Sequence, residues 1–186
     1  MTKRVLIIFG VLLLCSVNAG AGTLDLSFNE YSVKADLTQV IDEDDNGFAS
    51  IRLGGLYNDK ETYLGSLALN VMGKFPTLPR IKLGVGIKGF VLSSENEDIL
   101  AGGFGGLFRF EEIVPKLSVD GRFFYCPDIL TSLDANRMME TEVKIEYALI
   151  PRAVVYVAYT NIRANMDSTG DREIDEGIRL GLHLAF

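Results

Sequence analysis

The sequence predicts an all-β protein, a transmembrane antiparallel β-barrel of about ten strands preceded by a cleaved signal peptide. Three observations carry this. The chain opens with an export leader, the remainder alternates apolar and polar residues with period two, and the closing segment Gly177–Phe186 is a strand ending in Phe.

The leader has three parts in order: basic Lys3 and Arg4, the apolar run Val5–Leu14, and small residues at Ala19-Gly20-Ala21. That run is well short of the about 20 residues a spanning helix needs, and the order of parts is that of a secretory signal. Cleavage after Ala19 or after Ala21 satisfies the small-residue rule, so 1–21 reads as the leader and 22–186 as the barrel domain. Leu12-Leu13-Leu14-Cys15 offers a lipoprotein box as a rival, but Leu14 stands where such boxes have a small residue.

Without Lys3 and Arg4, 16 of the 18 basic residues face 25 acidic ones, a net charge of −9. No basic patch remains, which argues against a nucleic-acid partner. Cys15 leaves with the leader, and a lone Cys126 makes no internal disulfide in an oxidising compartment. It reads as a small semi-apolar residue at a strand end.

Alternation is clearest in the last strand. Ile178, Leu180, Leu182, Leu184 and Phe186 share one face; Gly177, Arg179, Gly181, His183 and Ala185 share the other. Strict alternation of this length marks a strand with one apolar and one polar or small face. Thr141–Leu149, Lys116–Tyr125, Ile81–Lys88 and Tyr31–Thr38 repeat the pattern, while Arg152–Asn161 is apolar on both faces at its start and has no clear orientation. Strands are placed near 23–29, 31–40, 48–57, 61–73, 81–92, 99–110, 116–126, 138–149, 152–162 and 176–186. An eight-stranded barrel is the alternative, should the hairpin around Asn29-Glu30 not span. With both ends in the periplasm, the links 93–98, 127–137 and 163–175 lie outside, and Ile150-Pro151 is a periplasmic turn.

Charges of both signs sit on the polar faces: Lys34, Asp36, Arg52, Lys82, Lys88, Arg109, Asp120, Arg122, Glu142, Lys144, Glu146 and Arg179. A membrane barrel holds such residues inside as ion pairs and turns its Leu, Val and Phe face to lipid. Segments of about ten residues also match the span of a tilted strand, and in lipid the sheet must close so that every amide is paired. A lumen charge network of Arg52, Lys88, Arg109, Asp120, Arg122, Glu142, Lys144, Glu146 and Arg179 follows, with Lys34, Lys82, Asp25 and Asp36 added, and with more bases than acids.

Arg179, Gly181, Leu184 and Phe186 also fill, in order, the carboxy-terminal insertion signal of outer-membrane proteins, which the outer-membrane assembly machinery reads. The chain further resembles the YfaZ family of small Gram-negative outer-membrane proteins. Phe124-Tyr125-Cys126-Pro127-Asp128-Ile129-Leu130, the Tyr147-Ala148-Leu149-Ile150-Pro151-Arg152 turn, Asp171-Arg172 and the Gly177–Phe186 strand carry this resemblance. It implies outer-membrane placement and a barrel, with no catalytic residues and no settled activity; contact with the lipid bilayer and lipopolysaccharide, and no cofactor, are the expectations for such a barrel.

Three motifs suggest chemistry. Gly84-Val85-Gly86-Ile87-Lys88-Gly89 spells a dinucleotide fingerprint, which works only where a strand turns into a helix; here it lies inside an alternating strand. Asp42-Glu43-Asp44-Asp45-Asn46-Gly47 matches half a calcium loop, but Leu53 replaces the closing acid, leaving a solvated acidic turn with weak divalent-cation binding as the rival. Asp167, Asp171, Glu173, Asp175 and Glu176 form a second acidic cluster on the outer side, a place for Mg²⁺ or Ca²⁺ bridges to lipopolysaccharide phosphates. The single histidine, His183, falls near the periplasmic mouth, the wrong end for outer-leaflet lipid chemistry. The expectation is a non-enzymatic barrel with a structural or surface-interaction role. A small anion-favouring channel and a soluble periplasmic barrel that binds a ligand are the alternatives.

Overall fold

The computed structural model describes residues 22–75, 77–94, 97–166 and 170–186; the expected leader, 1–21, lies outside them, as does Asp167. Eleven strands follow in order: β1 (Gly22–Phe28), β2 (Ser32–Glu43), β3 (Gly47–Asn58), β4 (Tyr63–Phe75), β5 (Leu78–Ser93), β6 (Asp98–Val114), β7 (Leu117–Cys126), β8 (Thr131–Leu133), β9 (Ala135–Ile150), β10 (Ala153–Met166) and β11 (Gly170–Ala185). Every pairing is antiparallel. The order β5-β4-β3-β2-β1-β11-β10-β9-β7-β6 returns to β5, so the sheet is a closed barrel of ten spanning strands. The eight-strand alternative fails because β1 pairs with β2 on one side and β11 on the other along its length. Gly22 and Phe186 exchange backbone hydrogen bonds of 3.2 and 3.0 Å, which brings the two ends of the described chain to one rim. By the rule for single-chain barrels that rim is periplasmic.

Two expected outer loops are strand instead. β8 runs along the same edge of β6 as β7, so the pair is one barrel strand interrupted at Pro127 and the 3-10 turn Asp128–Leu130. Proline brings no N–H to the ladder, and pairing resumes at Thr131↔Ala101. The link placed at 163–175 is mostly the continued β10–β11 ladder. A bulge after Ile162, where Asp175 and then Glu173 face consecutive β10 residues, buries both Ile174 and Asp175. An extra residue opposite one partner breaks strict alternation locally, which is why a polar stretch read as a loop.

Closure sorts the side chains. Leu69, Leu83, Val85, Ile87, Val91, Phe104, Ile145, Val157, Ile178 and Leu180 are exposed on the outside, an apolar band that a soluble barrel would bury. Tyr57 and Tyr63, with ring centroids 4.9 Å apart, sit near the outer rim. Phe108 and Phe110, at 5.6 Å, sit toward the periplasmic one. Aromatic residues at both water interfaces are the mark of a membrane barrel. Ile87 lies mid-strand, paired with exposed Leu69 and Phe104. Ile87→Arg is expected to cost about 2–4 kcal/mol, the cost of an arginine at the bilayer midplane. Urea unfolding of the barrel in lipid vesicles measures this, and a loss no larger than that of an Arg placed at the rim would contradict the band's position.

Candidate functional site

The lumen is the concave space this fold offers, and alternation delivers side chains to it in three layers. At the outer mouth Leu56, Leu64, Phe90, Leu92, Ile99, Phe124, Met138, Ile162, Met166 and Ile174 form a buried apolar cluster. Gly105 on β6 leaves room for it: a Cβ there would lie 2.6 Å from Cδ1 of Phe124. Cys126 is a free thiol within this layer. Above the plug Arg172 of β11 pairs with Glu97 of the β5–β6 link, across nearly the full width of the barrel.

Beneath the plug lies an ionic layer. Lys88 Nζ sits 4.7 Å from the Phe90 ring centroid and 5.4 Å from that of Phe124, and 2.5 Å from Oε2 of Glu140. A lysine placed this way joins the plug to the charges, as cation–π contacts and a charge-assisted bond both favour the ammonium. Lys34 pairs with Glu142 at 2.6 Å and Glu140 at 3.5 Å. Arg122 pairs with Glu142 at 2.8 Å and Asp36 at 3.2 Å. Asp36 on β2 and Arg122 on β7 are five strands apart around ten, so this pair crosses the barrel from wall to wall. Thr160 donates to Glu142 at 3.3 Å, and Lys144 closes on Asp25 at 2.8 Å.

The third layer is a vestibule of about 180 Å³ toward the periplasmic rim. Arg109 holds Glu146 at 2.7 Å there, with Asp120 at 3.7 Å. His183 Nδ1 lies 3.4 Å from Asp25 Oδ2, and the Tyr156 hydroxyl donates to the other oxygen of the same carboxylate. The Tyr156 ring passes over Gly181, where a Cβ would meet it at 2.1 Å. This settles the orientation of β10: Tyr156, Ala158, Thr160 and Ile162 point inward.

The nine residues expected to share one network are therefore divided. Lys88, Arg122, Glu142 and Lys144 meet in the ionic layer; Arg109, Asp120 and Glu146 meet in the vestibule; Arg52 stands apart, bonded through Nε to Thr38 Oγ1 at 3.1 Å. Arg179 belongs to none of these groups. It is fully buried between β11 and the first hairpin, 2.8 Å from Asp175 and 2.6 Å from Ser32 Oγ, with Ser27 Oγ at 3.2 Å. Glu140, Asp175 and Glu111 also face the lumen and were not among the expected residues; with them acids match bases, so no positive excess remains. Glu140 shares the sequence parity of Glu142 inside the strand placed near 138–149, and Asp175 shares that of Arg179 but lies just before the strand placed near 176–186.

The remaining motifs resolve locally. Gly84 and Gly86 face the lumen side while Gly89 is exposed to the lipid side, which splits the dinucleotide fingerprint between faces. Asp44 Oδ1 accepts from the amides of Asn46 and Gly47, both at 2.8 Å, making the acidic turn a self-bonded β2–β3 connection. In the outer acidic cluster, Asp175 turns inward to Arg179, Asp171 binds Asn165 at 2.7 Å, and Glu176 binds Arg163 at 2.8 Å. Among the described residues no three acidic, His or Cys groups converge as a metal site.

A family model described as YfaZ precursor matches residues 1–186. The chain belongs to the YfaZ family. It is an outer-membrane β-barrel, as the family, the closed sheet and the lipid-facing band require. Among curated proteins, none matches the sequence. Similar solved structures include outer-membrane-expressed OmpT of Vibrio cholerae (TM-score 0.45, 11% identity, 83% of this chain and 56% of that one). The outer membrane channel DcaP of Acinetobacter baumannii (0.45, 15%, 92% and 55%) is another, as is the KdgM porin (0.41, 11%, 88% and 99%). The YfaZ chain thus spans little more than half the length of the first two.

Proposed function

We propose that this YfaZ-family barrel is a non-conducting, non-enzymatic component of the outer membrane, serving envelope structure or surface contact. The observation that carries this reading is the 3.2 Å Asp36–Arg122 pair, which joins opposite walls in the middle of the lumen. A ten-stranded barrel is narrow enough for side chains to fill it. The apolar plug above this pair supports the same reading, since an ion would have to shed its hydration shell to pass. His183 touches Asp25 in the periplasmic half, which supports a packing role rather than lipid chemistry at the outer leaflet. Arg179, Gly181, Leu184 and Phe186 act as the insertion signal before folding, and lipopolysaccharide is the partner at the outer rim. Planar-bilayer recording of the refolded barrel tests the reading: no steps above baseline are expected, and reproducible anion-selective steps would overturn it in favour of a channel.

A further inference from the structure

The outer end of β7 and β8 exposes aliphatic side chains at a height where the neighbouring wall is polar. β7 rises from the periplasmic turn through ten residues, Leu117–Cys126. That is a full crossing for a tilted strand, so the turn Asp128–Leu130 and β8 beyond it stand above the hydrocarbon. On β10 and β11 the outward residues past the same count include Arg163, Asn165, Glu173 and Asp171. On β7 and β8 they are Ile129, 90% exposed, with Leu130 and Leu133, and Leu100 of β6 is exposed beside them. Leu100 pairs with Ser132, next to Leu133, and Leu130 lies over Gly102, two residues along from Leu100. Exposed Asp98, Asp128 and Asp134 adjoin this patch. Leu133 is held at φ +73°, a backbone conformation uncommon outside glycine. An apolar centre with a polar rim is the anatomy of a protein interface.

The lipid-facing wall below continues the patch downward. Along Ile81–Val91 of β5, Leu100–Phe110 of β6 and Leu117–Tyr125 of β7, every second residue points out and none of these is charged. Three of them are Gly89, Gly102 and Gly106, the first two paired side by side. A Cβ on any of the three would meet nothing closer than 3.8 Å. The inward glycines of the same strands differ: a Cβ on Gly84, Gly86, Gly103 or Gly105 would come within 2.6 Å of a neighbour. The packing of the single barrel thus requires glycine on the inner face of these strands and leaves room for a side chain on the outer one. A bare place on a strand suits the close approach of another backbone. Three strands about 4.8 Å apart, followed along Leu100–Phe110, present about 500 Å² per copy. Twice that reaches the about 1,000 Å² a specific interface needs.

We propose that the β5–β8 wall is the contact of a homodimer, two copies standing side by side about a two-fold axis along the membrane normal. Such an axis keeps both barrels in one orientation and sets the same patch against itself. Ile129, Leu130 and Leu133 of the two copies cover one another above the hydrocarbon, out of reach of acyl chains. Lower down, the glycines let the two sheets approach closely, and no outward charge is buried there. The aspartates stay at the rim, where physiological salt screens their repulsion.

The test uses the refolded barrel in phosphatidylcholine vesicles. Association is read by energy transfer between differently labelled copies, and contact by oxidative cross-linking. Wild type is expected to show energy transfer, and Ser132→Cys to give a cross-linked pair of chains. Val33→Cys, on the opposite wall, and wild type, whose Cys126 is buried, should give none. Ile129→Ser together with Leu133→Ser should weaken association about tenfold. Gly102→Val should weaken it as much while leaving the urea unfolding of the barrel unchanged, since the added side chain has room in a single copy. Heat-modifiable mobility shows that each variant is folded. Energy transfer no greater than random encounter gives would mean a wall covered by lipid alone and would overturn the proposal. Cross-linking through Val33→Cys instead of Ser132→Cys, or unchanged association of the folded Gly102→Val variant, would overturn it as well. Association is read without current, so the non-conducting reading can fail or stand by itself.

Discussion

Arg179→Leu should be the most damaging single substitution in the barrel, lowering the unfolding free energy by about 3–5 kcal/mol, the usual cost of stranding one member of a buried ion pair. The guanidinium is fully buried and bonds Asp175, Ser27 and Ser32 together, so its loss leaves the buried Asp175 carboxylate without its cation, the Ser32 hydroxyl being its remaining donor. These partners come from β11 and the β1–β2 hairpin, which places the damage on the seam where the sheet closes. Removing the charge partner too, as Arg179→Leu with Asp175→Leu, should recover much of the loss, because no lone charge is then buried. Refolding without assembly machinery, followed by urea unfolding, isolates this term from any effect on insertion. A single-variant loss below about 1 kcal/mol, the range of exposed pairs, would show that Arg179 is not the clasp. Arg109→Ala, whose partners lie in the half-open vestibule, supplies that comparison.

Emptying the apolar plug is the second large effect. Phe90→Ala and Phe124→Ala should each cost about 3–5 kcal/mol through lost burial and the cavity left behind. The pair should not sum fully, because both rings share the Lys88 ammonium. The double variant should still conduct nothing, since Arg122 and Asp36 block the layer beneath. Adding Arg122→Ser is expected to bring discrete steps in planar bilayers. Conductance from the plug variant alone would show that the ionic layer is no barrier, and silence from the triple variant, with its folding shown by heat-modifiable mobility, would show that the closure lies elsewhere.

These expectations rest unequally on sequence and structure. Period-two alternation was enough to assign Leu180 and Ile178 to the outside and Arg179 to the inside, because each step along a strand reverses the face. It was not enough for β10, where Val154, Val155, Tyr156 and Val157 offer no polar face to read. There the choice was made by neighbours: Gly181 opens a space that only an inward Tyr156 fills. The bulge before Asp175 defeated alternation in a second way, since a register shift leaves no mark in composition.

The chain by itself determined the class of the protein: an export leader, about ten amphipathic strands, a closing segment ending in Phe186 and lumen charges of both signs. Those features are local, written in successive residues, and the bilayer leaves closed sheets as the one way to use them. The choice of which charge meets which belonged to the tertiary structure. Asp36 and Arg122, or Arg172 and Glu97, stand far apart in sequence and on opposite walls, and become neighbours when a ten-strand sheet closes with one register.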